Sequence, residues 1–282
     1  MLKLIKSDFY KLFRMKSLYI CAAIAAVLAG LGIFSLNTLD RMQYAMYGLE
    51  DMFVSQYTGV YSFTIGIGSA GLFATIIVSM FSASEFKFGT IKNIASRGIS
   101  RTSIYFSKYI VTVFVSILYT LVCGIAAFIA GCCLGGVGDF DRTIFLDVLE
   151  VLGLFLLAMI AMQSIFQMIG FLVRSTGWTI GTNIAIFAFL PAMVLNLVDM
   201  AVNNWIAPAV SSVEWLSSWL KIENFSSAQY WPFSYLSEFT NVDVLHMEFF
   251  QPVITRGIIV CAVYIVLATA IGVFTFQKRD ID

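Results

Sequence analysis

The sequence is poor in charged residues and contains none of the common catalytic or phosphate-binding motifs. Only 12% of its 282 residues are Asp, Glu, Lys or Arg, whereas about 25% is usual in soluble proteins. It contains no G-x-x-x-x-G-K-[ST] loop, no H-E-x-x-H and no G-x-S-x-G, the usual devices for holding ATP, zinc or a nucleophilic serine. We therefore predict a membrane protein that is not itself an enzyme and binds no cofactor of its own.

Histidine and cysteine are too few and too scattered to predict a metal centre. The single histidine, His246, has no cysteine or second histidine nearby. Free cysteine packs as a small hydrophobe, and packing is the role expected for all five cysteines, which fall in or at the ends of apolar runs. They are Cys21, Cys123, Cys132, Cys133 and Cys261. Neither a disulfide framework nor a nucleic-acid partner is expected.

What the sequence does contain is six long apolar runs. Each has about 20 residues or more, enough to cross a bilayer core of about 30 Å as a helix. The runs are residues 18–36, 61–81, 109–134, 151–173, 178–198 and 257–276. The predicted fold is an all-α polytopic membrane protein with six transmembrane helices, in which residues 1–282 form a single transmembrane domain.

The basic residues predict the orientation of these spans. If both termini are cytoplasmic, all but four of the 17 Lys and Arg residues lie on the cytoplasmic side. Because Lys and Arg resist translocation, we predict a multi-pass protein of the cytoplasmic membrane with both ends inside the cell. The centres of the six runs lack Asp, Glu, Lys, Arg and His, which argues against a proton-coupled carrier.

The N-terminal segment, residues 1–17, is predicted to be a helix lying in the membrane interface. One face of this helix is apolar and the other carries cations that suit anionic lipid headgroups. The predicted apolar face consists of Leu2, Ile5, Phe9, Leu12 and Phe13.

The segment between spans two and three, residues 82–108, is predicted to be a basic cytoplasmic loop. It carries five cations against one acid, Glu85, and its apolar residues have the spacing of a short amphipathic helix that ends in a turn near Gly98. Such an element can be pushed by a partner on the cytoplasmic side. The alternative is that its cations only set the topology and bind lipid.

Polar residues inside the spans need partners. Gln163 and Gln167 are four residues apart and share a helical face, while Asn183 and Asn196 lie on the fifth span, which Pro191 should bend. Both hydrogen bonding between helices and lining of a pathway remain open for these amides. The stretch Gly66–Gly71 is spelled like a dinucleotide-binding motif, but it lies within an apolar run, so we predict close helix packing instead.

The segment between spans five and six, residues 199–252, is rich in tryptophan. Aromatic residues of this kind favour the headgroup region, so one or two amphipathic helices are predicted at the outer face, most clearly over residues 207–220. Four of the five tryptophans lie here, namely Trp205, Trp215, Trp219 and Trp231.

The basic loop contains an acid, a Gly-Thr pair, a Gly-Ile-Ser-Arg turn and a lysine that enters span three. These are Glu85, Gly89, Thr90, the residues from Arg97 to Arg101, and Lys108. In these residues the chain resembles the permease subunits of type 2 ABC exporters, especially the small six-span bacterial permeases associated with antimicrobial-peptide export, immunity and resistance. Many members have proline at the position of Gly98.

The resemblance implies a specific assembly. The loop between spans two and three would be a coupling helix that docks on a separate cytoplasmic ATPase, present in two copies and binding ATP and Mg²⁺. Two permease chains, identical or homologous, would pair around a central pathway. The residues implied in ATPase contact are Glu85, Gly89, Thr90, Arg97, Gly98 and Arg101.

Two functions are therefore expected from the sequence. The first is the transmembrane subunit of an ATP-driven exporter that moves a hydrophobic or amphipathic cargo. A peptide is the expected cargo, since the spans offer no charges to pair with ions. The second is a membrane sensor or scaffold whose basic loop docks a regulatory protein and which transports nothing.

Overall fold

Every regular element in the described part of the chain is helical. The computed structural model describes residues 1–48, 53–87, 98–138, 141–189, 193, 195–206, 226–238 and 251–278. Its α-helices are α1 (Leu2–Arg14), α2 (Lys16–Met46), α3 (Gly59–Ile67), α4 (Ala70–Lys87), α5 (Arg101–Gly135), α6 (Arg142–Val173), α7 (Thr176–Ala188), α8 (Asn196–Ala201), α9 (Pro232–Glu238) and α10 (Gln251–Lys278). A π-helical turn covers Val202–Ile206 and a 3₁₀ turn covers Ser227–Tyr230.

Five helical stretches in these ranges are long and apolar enough to cross a membrane. They correspond to the predicted spans 18–36, 61–81, 109–134, 151–173 and 257–276. Over the predicted fifth span, 178–198, the chain forms α7, which ends at Ala188, and α8, which begins at Asn196. Pro191 lies outside the described residues, and the count of six spans stays a prediction.

Most helices extend beyond their apolar runs. The helix α5 begins at Arg101 rather than at residue 109, and its 35 residues measure about 50 Å, well beyond the bilayer core of about 30 Å. At the other end of the bundle, α2 continues beyond its apolar run to Met46. In this extension, Asp40 accepts a 2.8 Å hydrogen bond from the Tyr57 hydroxyl. Burial, together with this hydrogen bond, raises the pKa of Tyr57 to about 12. Helical hydrogen bonds need no apolar side chains, so hydropathy alone placed the helix ends too far inward.

Small residues hold α3 tightly against α5, as the glycine stretch predicts. A β-carbon added at Gly66 would lie 2.1 Å from the β-carbon of Ala127, and one added at Gly131 would lie 2.3 Å from the Ser62 hydroxyl. One detail differs from the prediction of an unbroken helix. A turn at Gly68 and Ser69 interrupts the helix between α3 and α4.

The N-terminal helix packs on the protein through a strip that includes Asp8, Phe9 and Leu12. Its buried residues are Asp8 and Leu12, whereas Leu2 is 83% exposed and Phe13 is 45% exposed. Phe9 makes an edge-on ring contact with Phe114 of α5, with centroids 5.0 Å apart. Leu2 and Phe13 are exposed on the protein surface, and the predicted position of this helix in the membrane interface stays a prediction.

Part of the segment between α8 and α10 folds back onto the bundle. In α9, Tyr235 and Leu236 are buried against the main core, and the Trp231 ring stands edge-on to Tyr264 of α10 at 5.7 Å. Trp205 lies in the π-helical turn. The predicted helix over residues 207–220, with Trp215 and Trp219, lies outside the described residues.

Candidate functional site

The two ends of the basic loop meet on one aromatic cluster. Its buried centre is Ile104, Tyr105, Phe171 and Phe276, and Leu4, Phe86, Ile99 and Val273 pack around it. We call these eight residues the basal cluster. Phe86 at the end of α4 and Ile99 before α5 both belong to it, so the loop leaves and returns at the same place. The cluster also joins α1, α5, α6 and α10.

Each residue of the Gly-Ile-Ser-Arg turn has a separate structural role. Gly98 has φ of +76°, a left-handed conformation that glycine adopts without strain. Ile99 packs on the basal cluster. Ser100 caps α5, since its hydroxyl accepts a hydrogen bond from the Ser103 amide. Proline, which holds φ near −65°, does not fit the conformation of Gly98.

Arg101 is bound to the C-terminal end of α10. Its Nη1 donates to the carbonyl oxygens of Phe276 (3.2 Å) and Gln277 (2.9 Å). The Gln277 amide in turn donates to the Thr102 hydroxyl at 2.9 Å. The last carbonyls of a helix lack partners within it, and a cation there is favoured by the helix dipole. The guanidinium therefore ties the first turn of α5 to the last turn of α10.

A buried ion pair connects α1 with α5. Lys108 Nζ lies 3.4 Å from Asp8 Oδ1, and both side chains are 1% exposed. The Ser107 hydroxyl donates to the other carboxylate oxygen at 2.5 Å, and the Phe81 ring of α4 faces the ammonium at 4.5 Å. Sequence reasoning identified Lys108 but missed Asp8. The available signal was an acid between Ile5 and Leu12 on an otherwise apolar face.

Three of the four predicted intramembrane amides connect neighbouring helices. Gln167 accepts from the Thr112 hydroxyl (2.6 Å) and donates to the Tyr105 carbonyl (3.3 Å), which joins α6 to α5. Gln163 donates to Thr75 of α4 at 3.3 Å.

Asn183 extends the same set of contacts to α7. It donates to Ser79 of α4 (2.7 Å) and to the Phe166 carbonyl of α6 (3.2 Å). All three amides are buried, which supports interhelix hydrogen bonding. Asn196, by contrast, is exposed at the start of α8.

The structure describes only part of the remaining residues predicted to contact an ATPase. Glu85 lies in the last turn of α4 rather than in a loop, and its side chain lies outside the described part of the structure. Gly89, Thr90, Arg97 and the predicted amphipathic helix also lie outside the described residues. Their predicted role remains a prediction.

The segments expected to share one membrane face do lie at one end of the bundle. Leu4 of α1, both loop ends and Phe276 of α10 meet in the basal cluster. The turn between α6 and α7 joins them, because the Arg174 guanidinium lies 5.5 Å from the centre of the Phe86 ring. Arg174 itself has φ of 59° and ends α6, so only a short turn separates α6 from α7.

Comparison with known families identifies one family to which the chain is similar. The model of a family described as ABC-2 family transporter protein matches residues 4–191, about two thirds of the chain. The chain belongs to the ABC-2 transporter family. It is therefore a membrane permease component of an ABC transporter, a class that works with an ABC ATPase. The ABC-2 match covers the basic loop, the ion pair and the interhelix amides. No curated protein matches the chain.

Proposed function

We propose that this ABC-2 protein is the transmembrane subunit of an ATP-driven exporter in the cytoplasmic membrane. Two permease chains would pair and bind two cytoplasmic ATPase subunits, which hold ATP and Mg²⁺ and carry out hydrolysis. Both termini and the loop 82–108 would face the cytoplasm, as the distribution of Lys and Arg requires. The chain itself would supply the pathway and the lever, with six spans and no catalytic residues.

The arrangement around the loop is the observation that supports this proposal. Both loop ends pack on the basal cluster, and Arg101 binds the end of α10 through two carbonyls. Interhelix amides then connect α5 to α6, and α6 to α4 and α7. Displacement of the loop would therefore move several spans together, which is what a coupling element needs.

The pathway is proposed to lie where α2, the α3–α4 stretch and α7 face the second permease chain. In the most apolar part of α2 only 22% of residues are buried within this chain. Large apolar side chains stand exposed there and on α7, among them Ile24, Leu28, Leu31 and Trp178. A second chain would cover part of these faces, and closure of the ATPases would open the space between them outward.

A hydrophobic or amphipathic peptide is the cargo that these surfaces suit best. Residues 17–39 of α2 and all of α7 contain no Asp, Glu, Lys, Arg or His. A charged ion or sugar acid would lose its hydration there without gaining a partner, whereas apolar side chains of a peptide would be stabilised.

Reconstitution with the cognate ATPase tests the proposal. The permease and ATPase are co-expressed, purified through a tag on the permease and placed in proteoliposomes. We expect stoichiometric co-purification of a Walker-motif protein and ATP-dependent movement of an amphipathic peptide. An ATPase variant without its P-loop lysine is the control and should bind but not transport. Absence of the ATPase, or movement of a small inorganic ion in preference to the peptide, would contradict the proposal.

A further inference from the structure

We infer that Asp8 is a positioning residue that fastens α1 to α5, so that the N-terminal helix moves together with the basic loop. The inference rests on the proposed function, in which the loop transmits motion from an ATPase. It assigns α1 to the moving part of the permease and not to a fixed anchor at the membrane surface.

The chain connection to α2 does not determine how α1 is oriented. Met15 is the single residue between the two helices, and its φ of −74° and ψ of 111° are extended. A junction of this kind allows the two helices to pivot, since rotation about these dihedrals changes the angle between them. The described contacts that orient α1 are those with α5 and the basal cluster, together with a hydrogen bond from the Tyr19 hydroxyl of α2 to the Phe13 carbonyl of α1.

The contacts that Asp8 makes with α5 fix the register of α1 against that helix. Its two carboxylate oxygens bind consecutive residues, Ser107 and Lys108, and the Lys108 ammonium is also faced by Phe81. Apolar packing alone would tolerate sliding or rotation of α1. A carboxylate held by two donors permits one register, which is the best-attested role of buried ion pairs, since they are seldom the most stable solution.

The attachment point lies close to the loop. Lys108 follows Arg101, the first residue of α5, by seven residues, or about 10 Å of continuous helix. The described helix has no break between them. Any displacement transmitted through the Gly98 turn to the start of α5 therefore reaches Asp8 through a rigid segment.

Spin-label distances in the permease–ATPase complex test this inference. Labels are placed at the exposed positions Lys6 of α1 and Ile110 of α5 in a cysteine-free chain. With the ion pair intact we expect one narrow distance distribution that is the same with ADP and with trapped ATP. Lys108→Met should broaden it and raise the ATP hydrolysed per cargo exported by about fivefold or more, the range of typical coupling effects.

Two further variants separate positioning from folding. Lys3→Met removes an exposed cation from α1 and leaves the pair intact, so it should change neither the distance distribution nor the ratio of hydrolysis to export. If Lys108→Met does not fold, Ser107→Ala removes one donor without leaving a buried charge alone, and should broaden the distribution to a smaller extent.

The outcomes that overturn the inference are distinct from those that overturn the proposed function. A distance between α1 and α5 that changes with nucleotide while the pair is intact, or a distribution that stays narrow in the Lys108→Met and Ser107→Ala variants, contradicts the inference. Failure of any ATPase to bind contradicts the proposed function. In that case the widths of the distance distributions of the parent and variant permeases, measured without an ATPase, still decide whether Asp8 fastens α1.

Discussion

Replacing Arg101 by alanine separates two roles for this residue. The family resemblance implies that Arg101 contacts the ATPase, whereas the structure places its guanidinium on the last carbonyls of α10. If the second role dominates, Arg101→Ala should destabilise the permease and leave its affinity for the ATPase nearly unchanged.

The magnitude follows from the two hydrogen bonds. A bond to a charged donor contributes about 1.5–3 kcal/mol when buried, and a cation at a helix C-terminus adds about 0.3–1 kcal/mol. Here the bond to Phe276 is half-buried and the bond to Gln277 is exposed, so solvent screening reduces both terms. We expect a loss of about 1–3 kcal/mol for Arg101→Ala, and a smaller loss for Arg101→Lys, which keeps the charge but not the fork of donors.

The assay is thermal unfolding of the purified permease, followed by co-purification of the ATPase. A loss of this size lowers the melting temperature by about 2–4 °C for each kcal/mol in larger domains. Arg14→Ala is the matched control, because Arg14 is exposed and bonds only to Tyr10 among the contacts described for it; it should stay within about 0.5 kcal/mol of the parent. If Arg101→Ala melts like Arg14→Ala but no longer retains the ATPase, the assignment of Arg101 to α10 is refuted.

Substitutions at three further sites, Gly98, Gly66 and Gln167, test separate parts of the structure. Gly98→Ala should lower the free energy of unfolding by about 1–2 kcal/mol because the backbone at this position is left-handed, and Gly98→Pro should lower it considerably more. Variants as stable as the parent in an unfolding measurement would contradict the turn geometry. Gly66→Val should destabilise by at least about 1–3 kcal/mol because its β-carbon would lie 2.1 Å from that of Ala127, whereas Gly32→Ala, with nothing within 4 Å, should be neutral or stabilising. Gln167→Leu should cost about 0.6–1.7 kcal/mol, the usual range for interhelix hydrogen bonds in membranes; an unchanged melting temperature would show that these bonds do not hold α5 to α6.

Five of the six predicted spans coincide with described helices that are long and apolar enough to cross a membrane, because about 20 consecutive apolar residues have few alternatives to a membrane helix. Close packing at Gly66 was predictable for a similar reason, since small residues in apolar helices have few other uses. The ends of the helices were not predictable from hydropathy. Ser100 starts α5 eight residues before the apolar run by capping it, and a capped helix continues through polar sequence.

The pairings at the site depend on contacts between distant parts of the chain. Arg101 and its acceptor Gln277 are 176 residues apart, and Asp8 and Lys108 are 100 residues apart. A single sequence indicates that a buried charge needs a partner, but it does not indicate which one. The spacing of Gln163 and Gln167 correctly predicted a shared buried face, and yet the two amides bind different helices, α4 and α5.

Site-specific photocrosslinking from the loop tests the central claim most directly. A photoreactive residue is placed at Thr90 within the loop, or at Arg142, the exposed first residue of α6, which the charge distribution assigns to the opposite membrane face. In the intact assembly we predict an adduct between position 90 and the ATPase and none from position 142. An adduct from position 142 alone, or no protein adduct from position 90 in a complex that hydrolyses ATP and transports cargo, would contradict the assignment of the loop as the coupling element.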